Sequence, residues 1–297
     1  MYEVLHDKFQ DIIIPSESMV KIWGEGRWTE GPVYQPQLKT LIWSDIPNNR
    51  LIAFNEITED CYIFNNDSGY QNGHTTDQFG RIIACEHLKR RVTRLEFDGS
   101  WKILSSEYNG KKFNSPNDVS VFIDGSIWFT DPTYGIDFNH LGSKSTKEMD
   151  FCGVYRISPD GKDVQPIIKN IRQPNGIAFS PDNKWLYVSD SGTTHDKNHP
   201  SVIFRYPIID NKISIKDVEE FAVCKYGVFD GFRLDSNGNL FTSCEKGVEV
   251  YDPKIGIIGR ILTPECVANL CFGGDKLNRL YITATSSLYA IYLNTKG

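Results

Sequence analysis

The feature that most constrains this 297-residue sequence is a β-rich unit that recurs six times. Each copy contains a short apolar run, and most runs follow a turn rich in Gly, Asn and Asp and precede a further apolar strand. The six runs begin at Leu41, Ile82, Ile127, Leu186, Leu240 and Leu280. Six copies of an antiparallel unit predict an all-β protein, a six-bladed β-propeller with four-stranded blades. A β-sandwich is the alternative, but it does not require the same unit six times.

The two ends of the chain are predicted to meet. The last copy is one strand short of a four-stranded blade, and the segment 19–23 precedes the first copy. We predict that this segment adds the missing outer strand and closes the ring, which removes unpaired edges; the alternative is a frayed tail. Residues 1–297 then form one domain. The polar segments 135–151 and 194–200 are predicted to be loops inserted on one face, where binding specificity usually resides.

Composition excludes several classes of function. Lys and Arg number 32 against 38 Asp and Glu, so the net charge of -6 gives no broad electrostatic reason to bind nucleic acid or an anionic membrane. No apolar run approaches the ~18–20 residues of a membrane helix. Seven scattered cysteines without a C-x-x-C pair argue against a disulfide framework and a structural zinc site. We expect a cytoplasmic protein without nucleic-acid or membrane partners, of undetermined oligomeric state.

A polar side chain stands 10 or 11 residues before each of the six runs. The six are Glu30, Asn72, Asn117, Asn175, Asp230 and Asn269. In a propeller the innermost strands line the central channel, so equivalent positions converge on one axis. Asn and Asp also begin strands as turn residues, but six residues in phase, with a Glu among them, favour a ligand ring. Its oxygen ligands suit calcium, magnesium or manganese rather than copper or zinc, and a wide ring of flexible carboxamides favours calcium.

Several motifs resemble one known family over about residues 28 to 292. They include TEGPVY, NSPNDVSVFIDGSIWFTDPTYG, RQPNGIAFSPDNKWLYVSD and DGFRLDSNGNLFTS. The chain resembles the senescence-marker-protein/gluconolactonase/luciferin-regenerating family, especially its bacterial sugar-lactonase branch. The resemblance implies a six-bladed propeller with one divalent cation, held by Glu30, Asn117, Asn175 and Asp230. Calcium is favoured, while manganese, magnesium, zinc and ferrous iron remain open.

The implied site predicts an enzyme. Four protein ligands leave positions open on a calcium ion, which prefers six to eight, and open positions admit water and substrate. Asp230 is the predicted catalytic residue, since it can coordinate the cation and take a proton from water. We predict hydrolysis of a sugar lactone, such as glucono- or xylonolactone, to the hydroxy acid. The alternatives are a phosphotriester or other ester hydrolase with the same metal site, and a non-catalytic binding propeller with a structural calcium.

Six further residues are candidates for contact with a small lactone substrate. They are Asn72, His87, Ser115, Asp131, Tyr134 and Asn269. Each also has a structural explanation as a strand-end or turn residue. His195 and His199 lie four residues apart in the segment 194–200, but the polar context and Pro200 favour a solvated loop over a zinc site. No G-x-S-x-G nucleophile motif and no nucleotide-binding glycine motif occurs.

Overall fold

A computed structural model describes residues 1–297, and its strands form six antiparallel blades around a central channel. The strands of blades 1 to 3 are Thr29–Gln35, Thr40–Asp45, Arg50–Asn55 and Cys61–Asn65; Gln71–Thr76, Ile82–Glu86, Arg91–Leu95 and Trp101–Ser105; and Val119–Val121, Ile127–Asp131, Gly153–Ile157 and Val164–Ile168. Those of blades 4 to 6 are Pro174–Phe179, Trp185–Asp190, Val202–Ile209 and Glu219–Val223; Phe232–Leu234, Leu240–Cys244, Gly247–Asp252 and Gly256–Leu262; and Val267–Gly273, Arg279–Ala284 and Ser287–Tyr292.

The first strand of each blade contacts the first strands of the two neighbouring blades, and the first strand of blade 6 contacts that of blade 1. The ring is therefore closed, and the six-bladed propeller predicted from the repeat is confirmed. The remaining elements are the short strands Glu107–Tyr108, Lys111–Lys112 and Lys212–Ile213, the 3-10 helices Asp7–Asp11, Ile46–Asn48 and Gly192–Thr194, and the α-helix Tyr134–Asp137. None of these helices has the length and apolar character that a membrane span requires.

The apolar core is divided into six clusters, one at each junction between neighbouring blades. The division follows from the two-residue period of a strand, whose successive side chains point to opposite faces. In the second strand of blade 4, Leu186 and Val188 pack against blade 3. Tyr187, between them, packs against blade 5. Both faces of such a strand are buried against neighbouring blades, which explains why the apolar runs of the repeat are nearly continuous.

The N-terminal segment closes the ring. Val20–Trp23 pairs antiparallel with Ser287–Tyr292 as the outermost strand of blade 6, so the predicted closing strand is confirmed. A second N-terminal strand, Tyr2–Val4, pairs with Gly256–Leu262 and gives blade 5 a fifth strand. The sequence analysis did not predict this strand, because three residues carry too little of an alternating pattern.

Between these two strands, the chain packs into the junction of blades 5 and 6. Phe9 is fully buried there, together with Ile12 and Ile13. A Cβ atom at Gly259 would lie 2.3 Å from the Phe9 ring, so the aromatic ring lies directly on the blade 5 backbone. Residues 1–23 therefore cover the outer edges of two blades and fill the junction between them.

The inserted segment 135–151, predicted to be a polar loop, is irregular over most of its length and is anchored by buried residues. It begins inside the single-turn helix Tyr134–Asp137, and Ile136 and Met149 are both buried. Met149 belongs to the apolar cluster between blades 2 and 3. Ile136 and Met149 are its buried anchors, whereas Phe138 is 44% exposed and lies with the polar residues on the surface.

Replacing Phe9 tests the contribution of the N-terminal segment. We expect Phe9→Ala to lower the free energy of unfolding by about 3–5 kcal/mol, because it removes a fully buried ring and leaves a cavity. Phe97→Ala is the matched control, since Phe97 is 80% exposed and its loss should change stability by less than about 0.5 kcal/mol. Urea unfolding followed by fluorescence measures both; equal small effects would show that the segment is not part of the cooperative fold.

Candidate active site

The six side chains predicted from the repeat form one ring around the channel. Asn72 Nδ2 donates to Asn117 Oδ1, and Asn117 Nδ2 donates to Asn175 Oδ1. Asp230 lies beside the side chains of Asn175 and Glu30, which interact with its carboxylate. Asn269 Nδ2 donates to Glu30 Oε2 over 3.1 Å, which completes the circle. Six separate stretches of sequence thus meet in one polar ring.

The ring residues lie at irregular heads of the innermost strands. Four of the six first strands shift register at this point, between Glu30 and Val33, Gln71 and His74, Pro174 and Ile177, and Val267 and Asn269. In the other two blades, Asn117 and Asp230 stand two residues before the paired strand. A bulge re-aims side chains that regular pleating would point sideways into a neighbouring blade. These irregularities turn the ring residues toward the channel.

Glycine follows the ring residue in four blades, because neighbouring backbones come very close there. A Cβ atom at Gly31, whose φ is +52°, would lie 1.8 Å from the carbonyl oxygen of Asn72. A Cβ atom at Gly231 would lie 2.1 Å from the side chain of Asn269. The E-G and D-G pairs therefore mark close approach between blades, a requirement that a turn alone does not impose.

Hydroxyl groups on the second strands hold the ring from behind. Ser44 Oγ donates to the carbonyl of Asn72 over 3.1 Å, and Thr130 Oγ1 donates to that of Asn175 over 2.6 Å. Ser189 Oγ donates to the carbonyl of Asp230 over 2.9 Å. Sequence reasoning missed these residues, although the signal is present: each is a Ser or Thr three positions after the start of its apolar run. They fix these three ring residues to the preceding blade.

The ring concentrates negative charge in a buried place. Burial, followed by the charges of Asp230 and Asp118, raises the pKa of Glu30 well above its usual range. Burial and the charge of Asp118 raise the pKa of Asp230 to about 7. Asp118 itself lies 3.3 Å from the Nη1 atom of Arg233. Neighbouring carboxylates with raised pKa values form a site that a proton or a cation would stabilise.

The ring forms part of a cavity of about 550 Å³. Of the ring residues, Glu30, Asn72, Asn117, Asn175 and Asp230 line it. The remaining lining residues are Arg27, Trp28, Ile46, Pro47, His87, Tyr134, His140, Leu141, Ser191, Thr194 and Val228. Most of the residues outside the ring were not predicted, because they lie in loops that follow or precede the strands and share no spacing with the repeat. His140 and Leu141 come from segment 135–151, and Thr194 comes from segment 194–200.

Three of the six predicted substrate contacts do not line the cavity. Ser115 and Asp131 are fully buried outside the cavity lining. Ser115 Oγ donates to the carbonyl of Pro132 and accepts from the amide of Gly135. Asn269 does not line the cavity either; its amide is bound to Glu30 and its oxygen accepts from the backbone of Leu270. It positions a ring carboxylate instead.

Asp131 is a backbone clamp. Its two carboxylate oxygens accept the amides of Asn114 and Ser115, each over 2.8 Å, so it holds the loop that leads to Asn117. Asp190 does the same in blade 4, where it accepts from Gln173 over 2.9 Å. Burial raises the pKa of Asp131 to about 7, although its two amide hydrogen bonds act in the opposite direction. Asp131 and Asp190, at the ends of these two second strands, thus hold the loop that precedes the ring residue of their own blade.

Of the other three predicted contacts, Asn72 belongs to the ring, and His87 and Tyr134 line the cavity outside it. His87 is 1% exposed, and its Nδ1 atom is 2.8 Å from the carbonyl oxygen of Leu141. Burial lowers the pKa of His87 to about 4, so the imidazole is neutral at pH 7. Tyr134 bonds through its hydroxyl to Thr194 Oγ1 over 3.0 Å.

The two histidines of segment 194–200 contact different carboxylates. His195 Nε2 lies 3.0 Å from Asp137, and His199 Nε2 lies 3.1 Å from Asp190. Each imidazole is thus directed to its own acidic partner. No group of three or more His, Cys, Asp and Glu side chains in the chain is arranged to hold a metal ion. Any cation in the ring would therefore depend on carboxamide oxygens as well as on the two carboxylates.

A six-bladed propeller with a polar ring of this kind matches one family of proteins. The family model described as "SMP-30/Gluconolactonase/LRE-like region" matches residues 28–286. A gluconolactonase from Zymomonas mobilis subsp. mobilis is 30% identical, over 98% of this chain and 85% of that protein. The solved structure of a gluconolactonase from Xanthomonas campestris is 32% identical with a TM-score of 0.91, over 98% of this chain and 94% of that one.

A pentonolactonase from Haloferax volcanii is a more distant relative, 26% identical over 86% of this chain and 81% of its own length. The chain belongs to the SMP-30/gluconolactonase/LRE-like family. The family predicted from the sequence motifs is confirmed.

The raised pKa of Asp230 predicts how stability depends on pH when a chelator excludes cations. A carboxyl group with a higher pKa in the folded than in the unfolded state stabilises the fold at low pH, and this contribution is lost as the pH rises toward the folded value. Between pH 5 and about 7, the wild-type protein should therefore lose stability, and Asp230→Asn should lose less. Thermal unfolding in EDTA measures the difference; parallel pH profiles would contradict the assignment.

Proposed function

We propose that this chain is a metal-dependent lactonase that hydrolyses an aldonolactone, such as glucono- or xylonolactone, to the corresponding hydroxy acid. Lactonase as the enzyme class rests on family membership and on the gluconolactonase relatives. The metal dependence and the identity of the substrate are proposed beyond this enzyme class. The observation that carries them is the ring itself: Glu30 and Asp230 lie together with carboxamides in the wall of a cavity large enough for a small ligand.

The chemistry of the ring fits a hard divalent cation. Carboxylate and carboxamide oxygens are preferred ligands of calcium, and the two formal charges of Glu30 and Asp230 balance one divalent ion. The raised pKa values of both groups indicate charges that lack a neutralising partner. We assign Glu30, Asn117, Asn175 and Asp230 as the ligands. Calcium is favoured, and manganese, magnesium, zinc or ferrous iron are the alternatives.

A cation in the ring would polarise the lactone carbonyl and lower the pKa of a nearby water. Asp230 takes a proton from the attacking water molecule while the oxygen of that water bonds to the carbonyl carbon of the lactone. The ester C–O bond of the lactone then breaks. Asp230 passes the proton to the departing alkoxide oxygen, which becomes the hydroxyl of the product. Asn72 lines the cavity as well, where its carboxamide can bind water or substrate. Trp28 and Leu141 add apolar surface to the cavity wall.

The first test is lactone hydrolysis by the purified protein. Acid release from glucono-1,5-lactone, followed with a pH indicator, should exceed the spontaneous rate, fall to it with EDTA, and return with calcium or another divalent ion. Equal rates in chelated and metal-loaded protein would remove the metal-dependent mechanism. Hydrolysis of a phosphotriester or a simple aryl ester in preference to lactones would favour the alternative hydrolase, and no activity on any substrate would favour a binding propeller.

Asp230→Asn tests the assigned base. The substitution keeps the size of the side chain but removes the proton acceptor, so we expect kcat to fall by about 10²–10⁴-fold. Asp210→Asn is the control, because Asp210 is an exposed turn residue and its replacement should leave kcat unchanged. Full turnover in Asp230→Asn would require another base.

Glu30→Gln tests the ligand assignment. Loss of one carboxylate should weaken calcium binding by about tenfold or more, because the ring keeps only one formal charge against the cation. Isothermal titration calorimetry measures this affinity, with Glu107→Gln, at an exposed position, as the control. Unchanged affinity in Glu30→Gln would place the cation elsewhere.

A further inference from the structure

One buried polar atom at the cavity has no partner. His87 lines the cavity and is 1% exposed, yet its Nε2 atom makes no hydrogen bond. A buried polar group without a partner is costly, and such groups are uncommon in folded proteins. The neutral imidazole also has a defined tautomer. Its Nδ1 atom lies 2.8 Å from the carbonyl oxygen of Leu141, which can only accept, so Nδ1 carries the hydrogen and Nε2 offers a lone pair.

The orientation of this imidazole is set by the inserted segment 135–151. Leu141 belongs to that segment, and its carbonyl binds the ring of His87 from a different blade. Gly135, in the helical turn that starts the segment, lies so close that a Cβ atom there would be 2.7 Å from the Cβ atom of His87. The insertion therefore packs onto His87 and directs its free nitrogen.

Among the residues that line the cavity, only His87 has a fully buried side-chain nitrogen or oxygen without a hydrogen bond. The hydroxyl of Ser191 donates to the carbonyl of Phe229, and that of Thr194 donates to the carbonyl of Ser191. The rest of the wall includes Trp28 and Val228, which accept no ordinary hydrogen bond from a ligand hydroxyl. Nε2 of His87, which lies beside Asn117, is therefore the atom of the wall that a donor from the ligand would satisfy.

We infer that His87 Nε2 accepts a hydrogen bond from a substrate hydroxyl, so that the inserted segment, through His87, selects polyhydroxylated lactones over lactones without hydroxyl groups. The inference rests on the proposed lactone hydrolysis and adds the residue that recognises the substrate hydroxyl. A site built to bind a hydroxyl discriminates strongly against an analogue that lacks it, because a buried acceptor is then left unpaired.

Two substitutions separate this role from a structural one. Asn at position 87 can retain a donor to the Leu141 carbonyl while lacking an atom at the Nε2 position. His87→Asn should therefore reduce kcat/KM for glucono-1,5-lactone by about tenfold or more and change that for δ-valerolactone by less than about threefold. His87→Gln places an amide oxygen near the Nε2 position and should recover part of the preference. His6→Asn, at an exposed position, is the matched control and should behave as wild type.

The possible outcomes separate a failure of the inference about His87 from a failure of the proposed lactone hydrolysis. Equal loss on both lactones in His87→Asn would show a structural role only and overturn the inference, while lactone hydrolysis itself would stand. If the wild-type protein hydrolyses neither lactone, the proposed function fails and the inference with it. Should His87→Asn not fold, His87→Gln decides: a larger loss of kcat/KM for glucono-1,5-lactone than for δ-valerolactone supports the inference, and equal losses overturn it.

Discussion

The structure depends on the close approach of six innermost strands where they begin. Closing a ring of six blades brings the strand heads together around one axis, and their backbones then leave no room for side chains between them. Gly31 and Gly231 meet this constraint. A Cβ atom would lie 1.8 Å from the backbone of Asn72 at the first position and 2.1 Å from the side chain of Asn269 at the second. The side chains just before them have only the channel to enter. A requirement of the fold thus gathers the polar ring.

The same constraint has an electrostatic consequence. Glu30 and Asp230 come from blades 1 and 5, which are distant in sequence. Burial and the charge of Asp118 raise the pKa of both carboxyl groups, and the charge of Asp230 raises that of Glu30 further. A buried charge is tolerated when it is paired or bound to a metal. Asp118 has Arg233 for this purpose, whereas neither Glu30 nor Asp230 forms a salt bridge with a basic side chain, and Glu30 accepts only from the amides of Gly31 and Asn269. The fold therefore carries a local destabilisation that a cation would relieve, as is common at functional sites.

Periodicity made the fold and the ring predictable, because each repeated position has one equivalent in every blade. The rim has no such symmetry, so its residues could not be found by counting. Ser115 and Asp131 illustrate the limit: a polar residue near the ring in sequence can point into a loop, and only the hydrogen bonds of Asp131 to two amides show that it is a clamp. The strand Tyr2–Val4 was not predicted for a different reason. A three-residue strand is defined by its pairing with Gly256–Leu262 and not by its own sequence pattern.

The seam of the ring connects the fold to the site most directly. After the closing strand Val20–Trp23, the chain crosses from blade 6 to blade 1 and reaches Glu30 within seven residues. Thr29, immediately before Glu30, is held by blade 6: its amide donates to Thr285 over 2.9 Å, and its hydroxyl donates to Ser287 over 3.1 Å. Asn269, also of blade 6, binds the Glu30 carboxylate itself. The position of this carboxylate is therefore set by the contacts that close the propeller, and opening the seam would displace Glu30 before any other ring residue.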